Sequence, residues 1–261
     1  MIVISKYTGD GVPARGHFSM EGNGTVKKFL IEEKVFELFP RTRVCGLVIE
    51  NMDNGIHWDG TGVLGQACQE AALRLGEAHF AESPFFAPWR AAFKLFGAPK
   101  GYRSSVEALA KRAVKGSCPS SINPLVDLYN VTSLKFLFPC GAEDLDAVAG
   151  DVRLMPAKGG EPFLPLGAEE DDPPREGEIA YIDDAGAICR CWNWREADRT
   201  KLTAETKRAL LCMESLSPER DEDMRKALNF IDDAIRKSLG AATAQFWLDS
   251  GCRQVDLPES M

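Results

Sequence analysis

Histidine is scarce in this 261-residue chain: His17, His57 and His79 are the whole supply, and none stands near a cysteine pair. The eight cysteines (Cys45, Cys68, Cys118, Cys140, Cys189, Cys191, Cys212 and Cys252) include no pair with the two-residue gap of a zinc knuckle. Spacing therefore argues against a structural metal and equally against a disulfide scaffold. Cys189-x-Cys191 lies in an apolar strand pattern, which predicts both thiols on one sheet face rather than around a metal. Reduced cysteines behind a start that has no signal-peptide pattern predict the cytosol. Long apolar runs are missing too. None approaches the roughly 18 residues of a membrane span, so no membrane partner is expected.

Positive charge is in deficit. Lys plus Arg number 31 against 39 Asp plus Glu, a formal net charge of −8. Counterion release makes tight nucleic-acid binders basic, so this balance argues against general RNA binding and against DNA. It leaves room for one local strip, and Lys94, Lys100, Arg103, Lys111, Arg112 and Lys115 are the best candidates. Also absent are a Walker loop, a dinucleotide glycine fingerprint, a GxSxG elbow and HExxH. No cofactor and no metal are expected. What is present is ordinary globular usage, 44% hydrophobic and 27% charged, in a length that suits one large domain or one domain with a helical extension.

The first 25 residues are glycine-rich and aperiodic and read as an extension. Beyond them, Lys28–Ile31 reads as a short strand, Glu32–Phe39 as a helical turn stopped by Pro40, and Val44–Glu50 as a buried strand. Apolar residues at helical spacing predict helices over Leu64–Phe80, with Gly76 a weak point, and over Pro88–Phe96. Ser105–Val114 is a third, opened by an N-cap arrangement at Ser104 and Ser105. From Asp151 to Trp192 the chain is strand-rich. Val152–Met155 and Pro162–Leu166 are short apolar runs, and Glu178–Ile182 and Ala187–Trp192 flank a hairpin turn. Thr203–Glu214 fits a helix start or a strand, and Asp221–Leu239 is an amphipathic helix closed by Gly240. Together these predict an α+β fold of mixed α/β layers.

The segment Ile122-Asn123-Pro124-Leu125-Val126-Asp127-Leu128-Tyr129-Asn130 resembles the INPVVDVTNY signature of the B3/4 domain in the beta subunit of bacterial phenylalanyl-tRNA synthetase. The likeness continues through Leu134–Asp146, Gly150–Leu154, Gly160–Gly167 and the Tyr181–Arg190 hairpin, and so spans most of 103–215. Arg103-Ser104-Ser105, Cys191–Arg195 and Arg199-Thr200 are similar to the blocks of free-standing B3/4 proteins, a likeness over nearly the whole chain after residue 26. The resemblance implies a single B3/4-like domain over 26–261 with flanking helices, a core about 103–215 and a C-terminal helix over 221–239, behind an extension at 1–25. It also implies a pocket that inspects an amino acid attached to tRNA and hydrolyses the wrong ester, with mischarged aminoacyl-tRNA and amino acid as partners. Where the synthetase block reads Pro-x-His-Ala-Phe-Asp, this chain has Pro139-Cys140-Gly141-Ala142-Glu143-Asp144, so the histidine that helps position the terminal adenosine and ester is Gly141. The synthetase glutamate that reads a tyrosine hydroxyl lies near Glu214 by local pattern.

Asn123, Asp127 and Asn130 are spaced four and three apart, on one helix face. They serve either as pocket floor, gripping ammonium and ester carbonyl, or as cap and backbone partners. Trp192-Asn193-Trp194-Arg195 as a strand puts two tryptophans on one face and Asn193 with Arg195 on the other. The rings suit core or lid, or a base-stacking platform. Arg195 and Arg199 suit a phosphate or carboxylate, or an ion pair with Glu196, Asp198 or Glu205. With no Ser-His-Asp or Cys-His nucleophile in view, water positioned by Asn123 and Asn193 and by the substrate's ribose hydroxyl is the expected chemistry. The expected site is therefore Asn123, Asp127 and Asn193 at the reacting ester, and Asn130, Asp144, Glu161, Tyr181, Arg195 and Glu214 around the substrate. Arg103, Arg112, Lys115 and Arg199 are expected toward tRNA. Binding of an amino acid or aminoacyl-tRNA without cleavage is the alternative.

Overall fold

The computed structural model describes residues 26–76 and 80–258. The extension expected over 1–25 lies outside them. In chain order the elements are β1 (Lys27–Ile31), α1 (Glu33–Leu38), β2 (Arg43–Glu50), α2 (Thr61–Leu75), α3 (Ala87–Leu95), α4 (Ser105–Val114), α5 (Pro124–Phe136), β3 (Cys140–Asp144), β4 (Val152–Pro156), β5 (Ile179–Asp183), β6 (Gly186–Arg190), β7 (Arg195–Glu196), β8 (Ala209–Ser215), α6 (Asp221–Leu239), β9 (Ala242–Leu248) and β10 (Gln254–Leu257). The mixed α and β architecture is the one expected. Thr203–Glu214 resolves in favour of a strand over its second half. Two expectations give way. Helix α2 ends at Leu75, where Gly76 takes a positive φ of 60°, and Pro162–Leu166 forms no strand, only one bridge from Pro165 to Ala197.

The strands make two sheets, β10-β1-β4-β5-β6-β7 and β3-β8-β2-β9. Strand alternation decides what each face meets. In β2, Val44 and Val48 point toward the six-stranded sheet, while Cys45, Leu47 and Ile49 point to the layer of α5 and α6. In β8, Leu210 faces the other sheet and Ala209, Leu211 and Met213 face the helices. The core between the sheets is closed by Phe29 of β1 against Phe246 of β9, ring centroids 5.8 Å apart. Gly46 makes room for that contact, since a Cβ there would lie 2.7 Å from the Phe246 ring. Helix α6 buries Met224, Ala227, Leu228, Ile231, Ile235 and Leu239, a stripe of period near 3.6, and stops at Gly240 with φ 61°. Each such Leu, Ile or Phe taken from water stabilises the fold by about 1.5–3 kcal/mol.

Helix α5 starts as its sequence dictates. Asn123 Oδ1 accepts the Val126 N–H at 3.0 Å and Pro124 occupies the first turn, where its fixed φ suits a helix and its missing N–H costs nothing. Asn123→Ala is expected to lower unfolding stability by about 1 kcal/mol, measured by urea titration, because the cap is lost and nothing else. Helix α4 differs from expectation at its start. Ser104 makes no capping bond and its Oγ is buried without a partner; the Ser105 N–H instead meets the carbonyl of Asn193 at 3.1 Å. The turn at 191–194 thus caps α4 from outside.

Two further corrections concern cysteine. Cys68 of α2 and Cys118 are joined by a disulfide, so the expectation of fully reduced cysteines fails for that pair, whose separation of 50 residues hides its proximity in space. The other six are free thiols. Cys189 and Cys191 do not share a strand face, because β6 ends at Arg190 and Cys191 turns with φ 44°.

Candidate functional site

A cavity of about 280 Å³ opens between the two sheets. Register explains its walls. Gly141 pairs with Cys212 and Glu143 with Leu210 across β3 and β8; direct partners share a face, so these four and Glu214, two residues past Cys212, all point inward. On the opposing sheet Tyr181 pairs with Cys189, and Cys189 with Glu196. That row sets a phenol, a thiol and a carboxyl side by side on the inner face of β5, β6 and β7. Asn130 enters from α5, Asn193 and Trp194 from the turn after β6, and Arg195 from the start of β7.

That turn is a correction. Cys191–Trp194 is a reverse turn, not a strand, with φ 44° at Cys191 and 63° at Trp192. Non-glycine residues in the left-handed region cost free energy and persist only where the surroundings hold them. Here Trp192 is driven fully into the core, 5.0 Å from the Phe39 ring and 5.3 Å from Trp89. Trp194 turns the other way and stacks on Tyr102 at 3.6 Å. The two tryptophans therefore do not form one platform.

Glu214 sits at the centre of the polar network. The Tyr181 hydroxyl donates to its Oε1 and Asn193 Nδ2 to its Oε2. Burial pushes its carboxyl up to about 7, opposed by those two hydrogen bonds. Two carboxyls that sequence reasoning did not assign to the site line the same space. Glu196 is pushed up to about 7 by burial, with Arg195 opposing. Glu143 is raised well above the carboxylate range by burial and then by the charge of Glu196, with the Thr200 hydroxyl opposing. Alternation in Cys140–Asp144 was the signal for Glu143, but its small residues do not announce a strand. Three cavity thiols, Cys140, Cys189 and Cys212, are raised well above their ordinary value, first by burial. They stay protonated near neutrality, so none supplies a thiolate.

Five expected residues come together at the cavity: Asn130, Tyr181, Asn193, Arg195 and Glu214. The others do not. The shared floor expected of Asn123, Asp127 and Asn130 is corrected: Asn123 caps α5, and Asp127 is fully buried on another side, accepting from Trp58 Nε1 at 2.9 Å, Ile122 N at 3.0 Å and Ser121 Oγ. Spacing of four and three spreads residues over a wide arc of helix, and only Asn130 falls within the part that meets the cavity. Asp144 accepts from Thr206 Oγ1 at 2.6 Å. Glu161 holds its own loop through the amides of Lys158 and Gly159. Arg199 is paired, but with Asp183 rather than Glu196, Asp198 or Glu205, through Nη1 to Oδ2 at 2.9 Å and Nη2 to Oδ1 at 2.5 Å.

Arg195 is exposed, 5.3 Å over the Trp194 ring, with no ion pair among the described residues. Arg112 and Lys115 are exposed at the end of α4. Lys94, Lys100 and Arg103 line a second groove, which also takes in Tyr102 and Ser104. It adjoins the cavity, because Ser105 and the Trp194 stacked on Tyr102 both line the latter. No group of His, Cys, Asp and Glu suited to hold a metal occurs among the described residues.

Among solved structures, the crystal structure of an N-terminal fragment of the phenylalanyl-tRNA synthetase beta-subunit from Pyrococcus horikoshii is similar at 14% identity and a TM-score of 0.45, covering 88% of this chain and 57% of that one. The chain thus spans little more than half the length of that structure. No curated protein matches it. The family model described as the B3/4 domain matches residues 89–238, which take in α4, α5, β3 to β8 and the cavity walls they supply. With more than half of its length matched, the chain belongs to the B3/4 domain family.

Proposed function

We propose that the cavity holds the amino acid of a mischarged aminoacyl-tRNA and that the protein hydrolyses its ester in trans. The observation that carries this is the space of about 280 Å³ with Asn130, Asn193, Tyr181 and Glu214 converging on it and Arg195 at its rim. It lies just below the range of about 300–1,000 Å³ typical of small-ligand pockets, a size for one amino acid and not for a nucleotide. The tRNA end therefore stays outside, where Arg195 and the groove of Lys94, Lys100 and Arg103 offer cations to phosphate. The resemblance of Ile122–Asn130 to the synthetase signature agrees with a tRNA-linked substrate.

The buried thiols are protonated and no histidine lines the cavity among the described residues. The chemistry is then the positioning of a water and polarisation of the ester carbonyl by carboxamides, with the ribose hydroxyl of the substrate assisting. Asn193 is held rigid by Glu214, and the Asn130 carboxamide has no hydrogen bond among the described residues. The same reading assigns the protein to the cytosol, with tRNA. Its six free thiols agree with that assignment, and the Cys68–Cys118 pair is the exception; among the described residues no helix is long and apolar enough to cross a membrane.

Gly141 favours a second reading, binding without cleavage. A Cβ at that position would lie 3.0 Å from Glu196 Oε1, so any side chain there needs Glu196 to shift, and the histidine of the synthetase block has no counterpart. A panel of mischarged aminoacyl-tRNAs separates the two. Hydrolysis is expected to exceed the spontaneous rate for at least one amino acid, and rates equal to the spontaneous one across the panel would leave only the binding function. Binding of the tRNA is expected to weaken steeply with added salt, because the contacts are to phosphate.

A further inference from the structure

We infer that Glu143 and Glu196, one carboxyl from each sheet, form a subsite that takes up a primary ammonium group of the ligand. This rests on the reading that the cavity receives an amino acid, and it names the group that is recognised and where. The two side chains face one another across the cavity because of register: Glu143 points inward beside Leu210, and Glu196 beside Cys189. Gly141 stands between them, its missing side chain leaving the space in which Glu196 Oε1 lies.

The pair is left without a cation by the protein itself. Glu143 is 9% exposed, and its Oε2 is buried without a hydrogen-bond partner. Neither carboxyl is in an ion pair among the described residues. The nearby cations are committed elsewhere, Arg199 to Asp183 by two bonds and Arg195 outward over Trp194. The Thr200 hydroxyl stands beside Glu143 and opposes its raised pKa as a hydrogen-bond donor, but it is neutral and brings no charge. Glu214 is the contrast, since both of its oxygens already accept a proton donor from Tyr181 and Asn193. A buried acceptor without a charged donor costs free energy, and a ligand that brings one relieves that cost. The raised affinity of both groups for protons agrees with a missing cation, because the charges of Arg199 and Arg195 do not offset burial.

An ammonium is the chemistry that fits. It is compact, carries three donors and can bridge two carboxyls that come from different sheets, with its third donor left for a carbonyl. Such charge-assisted hydrogen bonds are short and strong once water is excluded. The ammonium is supplied either by the α-amino group of any amino acid or by the side chain of a basic one.

Calorimetric titration of the full chain near pH 7 with four probes tests this: phenylalaninamide, N-acetyl-phenylalaninamide, lysinamide and Nα-acetyl-lysinamide. Binding of phenylalaninamide that acetylation abolishes assigns the subsite to the α-ammonium. Binding of both lysine probes without phenylalaninamide assigns it to a side-chain ammonium. In either case Glu143→Gln with Glu196→Gln is expected to weaken the binding by about tenfold or more, the scale of one charge-assisted hydrogen bond. Near-UV circular dichroism checks that the double variant is folded; if it is not, Glu196→Gln alone is decisive. The inference is overturned if no amide binds, if the acetylated phenylalanine probe binds as well as the free one, or if the folded glutamine variant keeps full affinity. Deacylation is scored separately. Binding without hydrolysis sinks the hydrolase and leaves the subsite, whereas hydrolysis untouched by the double substitution sinks the subsite and leaves the hydrolase.

Discussion

Arg190→Met is expected to lower the free energy of unfolding by about 3–5 kcal/mol, a large share of the stability of a domain of this size, measured by urea denaturation at pH 7. Arg190 and Glu178 are 1% and 2% exposed and joined in a fork, Nε to Oε1 at 2.8 Å and Nη2 to Oε2 at 2.9 Å. Arg190 Nη1 also reaches the carbonyl of Asp172 at 2.6 Å, and Glu178 Oε1 accepts the Cys191 N–H at 3.0 Å. Methionine keeps most of the volume and removes only the charge and donors, so Glu178 is left ionised in the interior with no cation and only the backbone amides of Cys191 and Arg175 as donors. The loss falls at the start of the Cys191–Trp194 turn and is therefore expected to loosen Asn193 and Arg195 as well. Arg190→Met combined with Glu178→Gln is expected to recover a large share, because the one charge left without its partner, Asp172, is half exposed to water while the Cys191 amide keeps an acceptor.

Acid gives the same pair a second signature. Burial alone would raise the pKa of Glu178, but its bonds from Arg190 and Cys191 outweigh burial and hold it below the ordinary glutamate value. A carboxyl with a folded pKa below its unfolded one contributes stability above the unfolded value, and that stability is lost as pH falls through the folded value. The gap between the native chain and Arg190→Met is therefore expected to be full at neutral pH and to narrow below about pH 4. A gap that stays constant down to about pH 3 would show that packing of the long side chain, and not the ion pair, is what was lost.

Asn130→Ala is expected to reduce kcat/KM for deacylation by about a hundredfold while changing unfolding stability by less than about 0.5 kcal/mol. The separation of the two effects is the point. Asn130 is partly exposed, lines the cavity and has no hydrogen bond among the described residues, so the fold loses little when it goes. A positioned carboxamide donor to a developing oxyanion is a transition-state contact, and its loss appears in kcat more than in KM. Asn123→Ala makes the natural comparison, since that change removes a helix cap about 1 kcal/mol in weight and touches no cavity wall. Equal rates for Asn130→Ala and the native chain, on a substrate the native chain cleaves, would remove Asn130 from the machinery.

The contrast between Asn123 and Asn130 also shows how far the sequence could be read. Both belong to the segment that carries the B3/4 likeness, and helical spacing set both on one broad face. Spacing alone does not say which part of that face meets a second layer. The cap was legible because it is local, a side chain reaching an amide three residues on. Asp127 was legible as a buried polar group in need of partners, but those partners include Trp58, 69 residues away. The disulfide of Cys68 with Cys118 escaped for the same reason, and the turn at Trp192 escaped because alternation is a strand rule that a reverse turn ignores. Glu143 and Glu196 were each read for something else, one within a motif and one as a partner for Arg195 or Arg199.

From residue order alone came the elements with strong period or punctuation: β2, α4, the β5–β6 hairpin, α6 with its closing glycine, and the family signature leading into α5. These follow from contacts within a few positions of the chain, which hydrophobic period and capping chemistry report directly. The site itself was decided by the packing of one sheet on the other. Only that packing brings Glu214 of β8 to Tyr181 of β5 and sets Glu143 opposite Glu196, because strand register fixes which side chains share a face and no local rule fixes which faces meet.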